Sequence, residues 1–71
     1  MMGIEAAISI FRSQFKDKKI IGYYKYEKYV VIITKFDGKI ESNYYIVIDK
    51  EHILPTNPIM IDLDEKKVVY I

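Results

Sequence analysis

Few residues in this chain carry chemistry. Its one histidine, His52, follows Asp49 and Glu51 in a predicted loop, and a lone exposed histidine has the chemistry of a general base or a metal ligand. A nucleophile has to accompany such a base. There is no cysteine, and the three serines (Ser9, Ser13 and Ser42) stand in no motif that would activate a hydroxyl. His52 is therefore read as a solvated loop residue. A second group, Asp62, Asp64 and Glu65, has metal-ligand chemistry. Calcium loops add a glycine at a sharp turn and further oxygen ligands in register, and neither is present. These acids, followed by Lys66 and Lys67, read instead as the solvated end of a hairpin. Thiolate metal sites are excluded, and a zinc site would need more histidines. The three glycines, Gly3, Gly22 and Gly38, form no phosphate-binding loop. The sequence thus predicts no catalytic residue, no cofactor and no metal.

The third group is aromatic. "YYKYEKYVVII" carries four of the seven tyrosines beside a β-branched run, with Lys25 and Lys28 interleaved. Rings on a sheet with basic neighbours are the pattern of a single-stranded nucleic-acid platform. The net charge is only +1, and Asp17, Glu27, Glu41 and Asp49 dilute the lysines, which argues against nucleic acid. Tyrosine also suits protein contact: its ring gives area at low entropic cost, with a polar tip.

These residues need elements to hold them. Seventy-one residues allow one domain, residues 1–71, and 51% apolar with 30% charged residues is a globular balance. No run approaches the roughly 18 apolar residues of a membrane span. "MMGIEAAISIF" carries no basic stretch before its apolar residues and has an early Glu5. It therefore reads as mature sequence, with the cytoplasm as the default compartment.

Ile4, Ala7, Ile8, Phe11 and Phe15 fall at spacings of three and four, which predicts a helix over 4–16. From Ile20 the period becomes two, in Tyr, Val, Ile and Thr, predicting strands over 20–26, 29–36 and 39–49. Asp37-Gly38 predicts a two-residue hairpin that sets Thr34 opposite Glu41 and Ile32 opposite Asn43. A softer turn is expected at Glu27-Lys28. Gly22 marks a bulge or a close approach to the helix. Pro55 and Pro58 read as breakers, and "IMIDLDEKKVVYI" as strands over 59–63 and 67–71. The fold class is α+β, with one N-terminal helix packed on an antiparallel meander of four to five strands.

Alternation then divides the sheet into two faces. Tyr29, Val31, Ile33, Ile40, Tyr44, Ile46 and Ile48 are taken as the core beneath the helix. Val30, Ile32, Tyr45 and Val47, joined by Tyr24, fall on the other side. One helix covers one side of a sheet. That second set is therefore expected to be an exposed docking surface, unless the C-terminal strands fold back over it.

"IEAAISIF", then Asp37-Gly38 and Val47-Ile48-Asp49-Lys50, resembles the small α+β modules of the PepSY-like and cystatin-like kind. In those, a helix with an "EA" start precedes an antiparallel meander with a central Asp-Gly hairpin. Glu51-His52-Ile53 sits at the last turn, where the scheme has a glycine and this chain has His52, and "PTNP" departs from the scheme. The resemblance implies a helix gripping a curved sheet and a binding or inhibitory role without catalysis. It carries over no functional residues. Small proteins of bacteria and their phages share this profile. The expectation is a non-enzymatic protein-binding or assembly module, self-associating as a homodimer through Tyr24, Val30, Ile32, Tyr45 and Val47. The alternative is a single-stranded nucleic-acid binder using the same rings with Lys25 and Lys28.

Overall fold

The structure, a computed structural model, describes residues 3–35 and 42–71. One N-terminal helix packs on a five-stranded antiparallel sheet. The elements are α1 (Ile4–Gln14), β1 (Lys19–Tyr26), β2 (Tyr29–Lys35), β3 (Ser42–Asp49), β4 (His52–Thr56), α2 (Pro58–Ile61), a 3₁₀ turn (Glu65–Lys67) and β5 (Val69–Tyr70). The strand order is β4-β3-β2-β1-β5, so a four-stranded meander gains its fifth strand on the β1 side.

The helix ends two residues before the predicted Lys16. Phe15 leaves helical geometry at φ −121°, and its ring stacks on Phe11 with centroids 4.7 Å apart. Central β2 is buried from Val30 to Thr34, as a strand packed on both faces must be. Tyr26 pairs with Tyr29 across a two-residue turn in which Glu27 adopts φ 51°. The register of β2 on β3 sets Ile32 opposite Tyr45 and Thr34 opposite Asn43. This is displaced by two residues from the register expected of an Asp37-Gly38 turn, and that turn lies outside the described residues. A shift of two keeps every side chain on its face.

Three segments differ from expectation. The stretch read as a breaker is strand β4, which carries Pro55 on the sheet edge, where a missing N–H costs no interior ladder bond. The strand expected over 59–63 is absent: Pro58–Ile61 is a helical turn. Asn57 caps it by accepting a hydrogen bond from the Met60 N–H at 3.1 Å, and Asp62 closes it at φ 48°. An Asn-Pro start is a helix signal that outweighs the Ile59, Ile61, Leu63 alternation. The expected terminal hairpin is also absent, because β5 pairs with β1 instead, through Tyr23–Val69 and Gly22–Tyr70.

The two faces carry separate clusters. On the helix side, Ala7, Phe11, Ile20, Val30, Ile32, Tyr45 and Val47 are buried together, with Ile4, Ile8 and Phe15 against them. On the other side, Tyr24, Val31 and Ile61 form a second cluster, flanked by Tyr26, Tyr44, Ile46, Leu63 and Val68. Ile61, Leu63 and Val68 belong to residues 57–71, a strap that leaves β4, crosses the sheet and joins β1 at the far edge. The face beneath it is called the strap side.

Candidate functional site

The predicted docking set is not a surface. Val30, Ile32 and Val47 are fully buried and Tyr45 is 9% exposed, all beneath α1. Phe11 and Phe15 close on the Tyr45 ring at 5.1 and 5.3 Å, and Lys18 Nζ lies 5.8 Å from its centroid. Tyr24 is 6% exposed on the opposite face, beneath Ile61. The helix thus lies on the face assigned to solvent, and the face assigned to the helix is the strap side. Alternation groups side chains into two sets but does not say which set a helix takes when both are apolar. Two rings of the nucleic-acid reading are withdrawn for the same reason. Stacking needs open ring faces, and Tyr24 and Tyr45 are packed within the chain. Lys25 and Lys28 remain exposed.

His52 meets the Asp49 carboxylate at the β3–β4 turn. Asp49 accepts hydrogen bonds from the N–H groups of Glu51 at 2.8 Å and His52 at 3.0 Å. The His52 ring donates through Nδ1 to both carboxylate oxygens at 2.9 Å. That ring contact, then the Glu51 N–H, holds the Asp49 carboxyl below its ordinary value, and the carboxylate in turn raises His52. Gln14 at the end of α1 donates to the Lys50 carbonyl of the same turn at 2.5 Å. Both members of the pair are largely exposed. Ser13 turns its hydroxyl to the Ile10 carbonyl, so it offers the pair no nucleophile. The arrangement pins a turn and docks a helix end.

The acidic group is spent on local structure as well. Asp62 terminates α2, and Asp64 accepts from the Lys66 N–H at 3.0 Å at the start of the 3₁₀ turn. Among the described residues, no set of three His, Asp or Glu side chains gathers as a metal site. Among them, too, no helix is long and apolar enough to cross a membrane.

The chemically unusual surface lies on the strap. Among the described residues, the exposed large apolar side chains are Ile48, Leu54, Ile59, Met60, Val69, Tyr70 and Ile71. Five of these seven belong to residues 58–71. Leu54 pairs with Ile46 and shares its face, so it stands on the strap side, while Ile48 is the extra residue of a register irregularity between Val47 and Asp49. Ile59 is 91% exposed and Met60 74%, although each is as apolar as the buried Ile61 between them and Leu63. The outward face of α1 offers only a shallow depression among Glu5, Ile8, Ser9 and Arg12. The sequence did hold a clue to the strap: "IMIDL" follows a helix start yet is apolar at every position but one, more than a single turn can bury. No family model matches this chain, and neither does any curated protein or solved structure with which it was compared.

Proposed function

We propose that this protein is a non-enzymatic binding or assembly module that docks a polypeptide, a second copy of itself first of all, on the strap side of its sheet. One observation carries the reading: of the seven exposed large apolar side chains among the described residues, five lie on the strap and Leu54 on the face it crosses. Large apolar side chains left in water are costly to a small protein, and a docked partner removes that cost. A net charge of +1 sets up little repulsion between copies. The resemblance to PepSY-like and cystatin-like modules points to the same non-catalytic role.

Sedimentation equilibrium over a concentration series tests it. The wild-type chain is expected to associate reversibly. Ile59→Asp with Met60→Ser is expected to weaken association at least ten-fold without unfolding the monomer, because both side chains are exposed. A wild-type chain that stays monomeric to the highest soluble concentration removes self-docking.

A further inference from the structure

The strap is held lightly, and the body it leaves behind is nearly complete. None of the residues of the helix-side cluster comes from residues 57–71. A strap that lifted away would leave α1 and four paired strands with their main core intact, enough for an independent fold. Its grip consists of a four-residue helical turn, a two-residue strand, one deeply buried anchor, Ile61 at 2% exposure, and the half-buried Leu63 and Val68 beside it. The far end is fastened by two bridge pairs and by the Ile71 N–H donating to the Ile21 carbonyl at 2.9 Å.

The connection to the body suits a hinge. Thr56 ends edge strand β4, and Asn57 continues it in extended geometry, φ −127° and ψ 163°. Pro58 follows Asn57, and a proline holds the residue before it extended. The chain therefore leaves the sheet edge extended at Asn57, the first residue of the strap.

Resting on the self-docking reading above, we propose that residues 57–71 exchange between two copies, each strap seating on the partner's Tyr24–Val31 face. The occupant is fixed by what already sits there. A second copy brings the same Ile61, Leu63 and Val68 to the same seat, so exchange restores every contact that opening breaks. An open monomer exposes Tyr24 and Val31 and does not accumulate, whereas an exchanged pair covers them twice. Ile59 and Met60 follow the hinge by two and three residues, where the two bodies meet.

The chain lacks cysteine, which makes the test clean. Tyr23 and Val69 face each other across β1 and β5. Full-length Tyr23→Cys and Val69→Cys chains are mixed, concentrated, diluted and oxidised. Exchange predicts a disulfide-linked heterodimer at least ten-fold above the dimer formed by either variant alone. The double variant Tyr23→Cys/Val69→Cys, which closes within one chain when dilute, shows that the pair can form and that the substituted chain folds. Intrachain closure there with no heterodimer in the mixture overturns exchange. Association that is weakened by Ile59→Asp in the same preparations would leave the docking reading standing alone. A second measurement needs no substitution. Amide hydrogens of residues 57–71 are expected to exchange at least ten-fold faster than those of residues 29–35. Loss of both sets together would mean that the strap never opens by itself, and would also overturn the proposal.

Discussion

Gly22 is the residue on which the far end of the strap depends. A Cβ built there would stand 2.8 Å from the Val69 carbonyl oxygen, a backbone atom that cannot step aside alone. The sequence marks Gly22 as a bulge or a close approach to the helix. The structure has a register irregularity between Ile20 and Gly22, and the close neighbour is β5. Gly22→Ala is therefore expected to cost up to about 2 kcal/mol, limited by how readily so short a strand detaches. Amide exchange should lose protection at Val69 and Ile71 while β2 keeps its own. The second residue-scale prediction concerns the β3–β4 turn. His52 is raised by Asp49, so its contribution is complete below the ordinary histidine value of 6.5 and fades as pH rises through the raised one. Asp49 is lowered, so its contribution is complete above the ordinary 3.8 and fades as pH falls through the lowered one. The pair stabilises most between about pH 4 and pH 6.5. Thermal melts of wild type and His52→Ala should differ most in that window and converge on either side.

At the scale of elements, α1 is the piece the small core can least spare. Phe11 is fully buried and touches both Phe15 and Tyr45. Truncating such a ring costs about 3–5 kcal/mol. A chain of this length is stabilised by roughly 4–11 kcal/mol in all. Phe11→Ala should consequently remove a large fraction of the total stability, read as a lowered urea midpoint and a lowered Tm. The helix and β1, β2 and β3 were legible because their periodicities are long and uninterrupted. β4 was not, since two prolines within four residues read as an end to pairing, and only its place on the edge lets Pro55 sit in a strand. α2 was misread because four residues cannot display a helical period. Its true signature is Asn57 before Pro58.

The whole molecule has a radius of gyration of 11.1 Å, the value of about 11 Å expected for a compact chain of this length. Its layers were legible up to one ambiguity. Two apolar faces could be read from the alternation, and one helix to cover them, but not which face the helix takes. The choice rests on three-dimensional fit: Phe11 and Phe15 close round the Tyr45 ring, while the strap meets the face lined by Tyr24, Tyr26 and Tyr44. The candidate residues Val30, Ile32, Tyr45 and Val47 lie beneath the helix as a consequence, and the face the helix leaves is met by the chain's own strap.

The rims of the sheet carry a last consequence. One ends in a strand interrupted by Pro55, the other in a strand of two residues. Neither offers the long, regular row of amide and carbonyl groups that a growing fibril would copy. Copies of this chain that gather through their oily tails should therefore stop at small, countable clusters instead of propagating into amyloid.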